Sequence, residues 1–213
     1  MHFNQGGQVN PPLLLMSDFY KTIEGISDGL YKEKMSKFIS FAIPVSSTED
    51  AKEIIKQYQK EYYDARHVCW AYMIGTDRTE FNTNDNGEPS GTAGKPILGQ
   101  INSFELTNIL IVVIRYFGGI KLGTSGLIVA YRAAAADAIT NGKIIECHEQ
   151  AQLEFTFPYL SMNDVMKLIK ETEVKVISQD FDNLCRMIIE NRADSIPELR
   201  TRIENIDGTS VIE

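Results

Sequence analysis

At 213 residues the chain has room for one large domain or two small ones, and 43% hydrophobic with 23% charged residues is the balance of a globular protein with a buried core. No stretch approaches the ~18–20 consecutive apolar residues of a membrane-crossing helix, which argues against a helical membrane protein. The formal net charge of −8 divides into −2 for residues 17–148 (14 Lys and Arg against 16 Asp and Glu) and −6 for residues 149–213 (7 against 13). Neither half is basic in bulk, so a nucleic-acid contact would have to be a local patch.

In chain order, residues 1–16 lack periodicity and carry a Pro11-Pro12 pair and a short leucine run. They have neither the basic start nor the apolar core of a signal peptide. They are expected to be a disordered leader or an appended cloning remnant, with Met16 the more natural start. Thr22 to Ala42 alternates like strand, with an interruption expected at Asp28-Gly29. Ser47 is placed to cap a helix, with Asp50 three residues on as in a capping box, and Ala51, Ile54, Ile55, Tyr58 and Tyr62 recur at helical spacing. A strand is expected over Val68–Gly75 and a shorter one near Phe81.

Asn84 to Gly99 is rich in Gly, Pro, Ser and Thr, loop chemistry that leads into a short helix. Ile109 to Ile114 is an unbroken, mostly β-branched apolar run, the pattern of a central strand covered on both faces. It runs into a glycine-rich segment, Arg115 to Gly126, and then an alanine-rich helix stopping near Asn141-Gly142.

The remainder has a different grammar. Leu153, Phe155 and Phe157 alternate up to Pro158; Val165, Leu168 and Ile169 form a helical stripe; Val174 and Val176 open a second strand. Asp182-Asn183 is expected to turn the chain into a third strand carrying Cys185, Met187 and Ile189. Ser195 and Glu198 suggest another capping box, followed by inward-facing Leu199, Ile203 and Ile206 and a last strand over Thr209–Ile212. The order β-α-β-β-α-β is the ferredoxin-like pattern. The fold class expected is therefore α+β, with one domain over residues 17–148 and a ferredoxin-like one over 149–213.

Several segments could carry chemistry. Two cations and four glycines fall within Arg115–Gly126, and backbone N–H groups at a helix start favour anions; the same glycines would also serve a tight crossover. No Rossmann fingerprint exists there, and Gly94-Lys95 fails as a phosphate loop because Pro96 and Pro89 stand where that motif needs Ser or Thr and Gly. Asp85 and Glu88 could hold magnesium or simply flank an exposed turn. His67 and Cys69 share one side of a strand, but a nucleophilic pair would need an orienting third group that cannot be named. Tyr72, Tyr116, Phe117 and Tyr131 could stack on bases or pack a core. Cys69, Cys147 and Cys185 are dispersed, with no CxxC and only His2, His67 and His148 as companions, which argues against disulfides and zinc and for a reducing cytoplasm.

Taken together, His67-x-Cys69-x-Ala71, the run Asp85 to Pro96 (DNGEPSGTAGKP) and the run Arg115 to Gly123 (RYFGGIKLG) resemble the IMPACT/YigZ family, in that family's order. The resemblance implies an N-terminal domain like domain 2 of ribosomal protein S5, followed by the ferredoxin-like domain. It also implies a link to translation. Eukaryotic relatives regulate initiation under stress through an extra RWD domain, for which this chain has no room. The resulting expectation is a cytoplasmic, translation-associated regulator without cofactor or metal, binding RNA or the ribosome. Lys95, Arg115, Tyr116, Gly118, Gly119, Lys121, Gly123 and Arg132 are its expected nucleic-acid or phosphate-binding residues. His67, Cys69, Asp85, Gly87, Glu88, Ser90, Gly91, Thr92 and Gly94 would form a pocket of family-motif residues. Two alternatives stay open: a magnesium-dependent enzyme on a phosphorylated small molecule, since Leu122–Leu127 faintly resembles the glycine-serine loop of GHMP kinases, and a protein-interaction module.

Overall fold

The computed structural model describes residues 19–182 and 184–212; the expected leader over 1–16 and the second residue of the expected Asp182-Asn183 turn lie outside the described residues. The structure is mixed α and β. Strands β1 (Phe19–Ile23), β2 (Ser27–Glu33) and β3 (Ser36–Pro44) are followed by helix α1 (Thr48–Glu61). Then come β4 (His67–Ile74), β5 (Glu80–Asn84), α2 (Gly94–Ser103), β6 (Ile109–Tyr116), α3 (Gly123–Asn141) and β7 (Ile144–His148). The rest of the chain forms β8 (Gln150–Pro158), α4 (Met162–Thr172), β9 (Lys175–Phe181), β10 (Leu184–Arg192), α5 (Ile196–Glu204) and β11 (Ser210–Ile212).

The apolar run becomes β6, the middle strand of an antiparallel sheet ordered β2-β3-β6-β4-β5. Side chains alternate across a strand, so the run supplies both faces. Ile109, Ile111 and Val113 join Ile97 and Ile101 of α2 and Ala130, Tyr131, Ala134 and Ala138 of α3 in one core. Leu110, Val112 and Ile114 meet Ala51 and Ile55 of α1 in another. Burial of each such side chain contributes about 1.5–3 kcal/mol before entropy, which is why this antiparallel strand reads as continuously apolar.

Ser47 caps α1 as expected, its side chain accepting from the Asp50 N–H at 3.1 Å. Asp50 accepts in turn from the Ser46 hydroxyl, which holds its carboxyl below the usual range. Three local expectations are corrected. Asp28-Gly29 does not interrupt a strand but lies inside β2, and the chain turns instead at Glu24–Ile26 and at Lys34-Met35, where both residues have positive φ (43° and 65°) as a two-residue hairpin turn requires. Gly29 is needed for close approach: a Cβ there would sit 2.5 Å from the Ala138 nitrogen of α3. The helix is further tied to the sheet by Ser27 and Ser40, whose hydroxyls donate to the carbonyls of Ala138 (2.7 Å) and Ala134 (2.6 Å).

The second correction concerns the loop after β5: α2 begins at Gly94, inside the stretch read as loop to Gly99. The third is the capping box at Ser195. A 3-10 turn over Ala193–Ser195 runs directly into α5, giving Ser195 helical angles (φ −85°, ψ −17°) rather than the extended ones a cap needs. Its hydroxyl bonds Asp194 instead.

Two features were not anticipated. β1 and β7 pair antiparallel, Phe19 opposite His148 and Ile23 opposite Ile144, as a separate two-stranded ladder. The sheet ordered β11-β8-β10-β9 has its own core of Leu153, Phe155, Phe157, Cys185, Met187 and Ile189 under α4 and α5, but leaves all of β9 exposed.

The Gly29 contact makes a testable pair. Gly29→Ala should lower the free energy of urea unfolding by about 1–3 kcal/mol, since a helix backbone has to move. Gly99→Ala, within α2 and with nothing within 4 Å of its added Cβ, should be neutral or stabilising by up to about 1 kcal/mol.

Candidate functional site

The segment between β5 and α2 is organised by one carboxylate. Asp85 Oδ1 accepts from the N–H groups of Ala93 (3.0 Å) and Gly94 (2.8 Å), and Oδ2 from Gly91 (2.7 Å). α2 has no cap from its own N-cap residue, Ala93, so an aspartate eight residues upstream supplies it. Burial alone would raise the Asp85 pKa, but these three N–H groups and Lys95 together outweigh it and hold the carboxyl below its ordinary value. Gly87 and Gly91 take the left-handed φ values (+82° and +76°) that fold the loop back, Thr92 donates to the Pro89 carbonyl (2.6 Å), and Ser90 is exposed at the bend. Asn86 ties the loop to β4: its Oδ1 accepts from the Val68 N–H at 3.0 Å, and its carbonyl accepts from His67 Nδ1 at 2.7 Å.

Folding the loop back buries Glu88 beside Arg115. Arg115 Nη1 donates to Glu88 Oε1 at 2.6 Å, and the Tyr131 hydroxyl of α3 donates to the same oxygen at 2.9 Å. The guanidinium, only 5% exposed, lies over the rings of Phe38 (5.4 Å) and Phe117 (5.5 Å). Beneath Tyr131, Cys69 Sγ is 3.3 Å from the phenol oxygen and 3.0 Å from the Asp85 carbonyl. Burial raises the thiol pKa, and the Glu88 and Asp85 charges add to it against the Tyr131 hydrogen bond, so Cys69 is a protonated core group at neutral pH and not a nucleophile. Burial likewise raises the Tyr131 hydroxyl, keeping it a donor.

Above this network opens a cleft of about 670 Å³ lined by Arg66, His67, Glu88, Pro89, Arg115, Phe117, Lys121, Leu122, Gly123, Thr124 and Leu127. Gly123 and Thr124 begin α3 and line the cleft, and the N-cap residue Leu122 supplies no side-chain cap, so the positive end of the helix dipole lies at the cleft. Arg66 and Lys121 are exposed and make no ion pair among the described residues. His67 Nε2 lies 3.8 Å from Glu88 Oε1. With Glu88 offsetting Arg115, the cleft keeps the charge of Arg66 and Lys121 uncompensated, and it suits an anion.

The residues expected to bind phosphate are thereby separated. Lys121, Gly123 and Arg115 line the cleft, though Arg115 is largely spent on Glu88. Lys95 and Arg132 line a different hollow between α2 and α3. Tyr116 points to the opposite face of the sheet and donates to Asp64 at 2.9 Å. Gly118 is a packing residue: a Cβ there would lie 2.0 Å from the Met35 carbonyl carbon, in the β2–β3 turn. Gly119, with φ +87° and open space around it, serves the turn. Tyr72 and Tyr131 are buried, leaving Phe117 (48% exposed) as the available ring among the four considered.

Both oxygens of Asp85 and Oε1 of Glu88 are engaged by the protein, and no group of three His, Cys, Asp or Glu side chains among the described residues is arranged to hold a metal. The Leu122–Leu127 segment forms the N-cap and first turn of α3. Arg66 was missed; it flanks His67, and its backbone N–H donates to the Arg115 carbonyl (3.1 Å), a pairing of distant strands that only the fold reveals.

Residues 34–139, which include every cleft residue, match the family model described as the Impact N-terminal domain. The chain is 33% identical over 186 residues to an IMPACT family member of Haemophilus influenzae, covering 84% of this chain and 89% of that one. It is 30% identical over 182 residues to IMPACT family member YigZ of Escherichia coli, covering 84% and 88%. A crystal structure described as that of a hypothetical protein matches with a TM-score of 0.72 at 26% identity, over 92% of this chain and 98% of that one.

Two outcomes follow from the buried groups. Asp85→Asn should cost about 1–3 kcal/mol near pH 7, because an amide cannot accept all three N–H bonds. A depressed carboxylate pKa stabilises the fold fully above the unfolded value of about 3.9 and is lost as pH falls through the lower folded one. The gap between wild type and Asp85→Asn in urea unfolding should therefore close below about pH 4. Arg115→Ala, which strands a buried carboxylate, should lose about 3–5 kcal/mol, while Arg66→Ala/Lys121→Ala should unfold within about 0.5 kcal/mol of wild type.

Proposed function

Because this chain belongs to the IMPACT family, we propose that it is a translation-associated regulatory protein that binds RNA or the ribosome through the cleft at the start of α3. The observation that carries this reading is the meeting of two unpaired cations, Arg66 and Lys121, with an uncapped 19-residue helix in one concave site. We read residues 17–148 as the domain like domain 2 of ribosomal protein S5, and residues 149–213 as ferredoxin-like. The β-α-β-β-α-β order and the strand order β11-β8-β10-β9 support the second assignment. The working location is the cytoplasm; among the described residues no helix is long and apolar enough to cross a membrane.

The patch is smaller than the sequence suggested: Arg66 and Lys121 in place of Arg115, Lys121, Lys95 and Arg132. Two cleft cations without an ion pair among the described residues, in a chain of net charge −8, favour a short, local phosphate contact over a long backbone track. A protein-interaction role is the second reading, favoured by the exposed Val176, Ile177 and Phe181 of β9 and the neighbouring Leu184.

Cosedimentation with ribosomes through sucrose gradients at low and moderate salt separates the two. Comigration that weakens with salt and is lost in Arg66→Ala/Lys121→Ala is the expected result. Comigration unaffected by salt or by that double variant would move the contact to the β9 face, and protein left at the top of every gradient would remove the ribosome as partner.

A further inference from the structure

The cleft is more than a charged surface, because four of its eleven lining residues are apolar. Pro89, Phe117, Leu122 and Leu127 share it with Arg66, His67, Lys121 and the first turn of α3. Phe117 is unusual among them: it stays 48% exposed while its ring lies against the guanidinium of Arg115, which is itself paired with Glu88. A half-exposed aromatic ring beside uncompensated cations is a platform for a flat, apolar group attached to an anion. Arg115, one of the lining residues, also keeps one donor unpaired. Arg115 is 5% exposed, yet its Nε has no hydrogen-bond partner among the described residues, where buried donors are normally paired. The volume, about 670 Å³, lies in the range of sites that enclose one small ligand.

We infer that the cleft takes a single nucleotide unit, its phosphate held by Lys121, Arg66 and the start of α3 and its base laid on Phe117. This rests on the RNA reading of the same cleft and sharpens it: the RNA contact is one unpaired nucleotide, in a single strand, a loop or an end, because a base inside a duplex offers no free face to a ring. A free nucleoside monophosphate presents the same chemistry. Neutralising that one phosphate also fixes the salt dependence, a slope of log K against log salt of about −0.7 for a single strand.

The test uses fluorescence anisotropy on the full chain with a labelled single-stranded RNA of about ten nucleotides, the same RNA annealed to its complement, and unlabelled 5′-AMP and adenosine as competitors. The single strand should bind at least about tenfold more tightly than the duplex, and 5′-AMP should displace it where adenosine does not. Phe117→Ala should weaken both the RNA and 5′-AMP by about 5- to 150-fold, with Phe117→Tyr restoring them. Arg66→Ala/Lys121→Ala should flatten the salt dependence. Equal affinity for strand and duplex, no displacement by 5′-AMP, or full affinity in Phe117→Ala would overturn the single-nucleotide site while leaving RNA binding standing. Direct binding of 5′-AMP without binding of either RNA would keep the site and assign it to free nucleotides, removing the RNA reading. Binding of none of them would remove both.

Discussion

Arg115 and Glu88 are buried together where the central strand β6 meets the loop between β5 and α2, and the carboxylate also takes the Tyr131 hydroxyl of α3. Desolvating both charges offsets most of their attraction, so two apolar residues of similar size would be about as stable there. What the pair supplies is position. An apolar contact tolerates sliding, whereas a 2.6 Å charged hydrogen bond fixes the loop, the strand end and the helix in one register. Phe117, the α3 start and His67 take their places around that register, so the cleft above inherits its shape from a bond in its own lining.

Asp85 plays the complementary part from the other end of the loop. Glu88 can reach Arg115 only if the chain folds back after β5, and the three N–H bonds to Asp85 hold it in that path. The acidic residues that looked available for a metal are thus the two that build the site. Their spacing matches a solvent-exposed turn as well as it matches a buried brace. What distinguishes the two cases is the partner each carboxylate finds far away in sequence.

The same distinction separates what was legible in the sequence from what was not. The β6 run, the Ser47 cap and the alanine-rich α3 are local patterns, fixed by burial periodicity and by hydrogen bonds a few residues apart. Gly29 was misread as a turn because glycine signals both a bend and a close approach, and only the crossing of α3 decides between them. Ser195 carries the letters of a capping box, but the preceding 3-10 turn removes the extended angles the cap needs. Lys121 and Gly123, singled out by their glycine-rich context, both line the cleft. Arg115 was assigned to a phosphate because its ion pair with Glu88 spans 27 residues, and Arg66 was overlooked because nothing near it hints that β4 and β6 pair there.

The β1–β7 ladder bears on how the chain acquires its fold. Its two strands are the outermost elements of residues 19–148, and every turn of the intervening sheet lies between them. Closing so long a loop costs more entropy than pairing β2 with β3 across a two-residue turn, so this ladder should be a late event. During synthesis Phe19–Ile23 emerges well before its ladder partner Ile144–His148, and the bridge from Lys21 to Leu106 and Thr107 is the backbone pairing that becomes available to it sooner. Until that ladder closes the strand keeps an open edge, and Ile23 lacks part of the cover it has in the finished core.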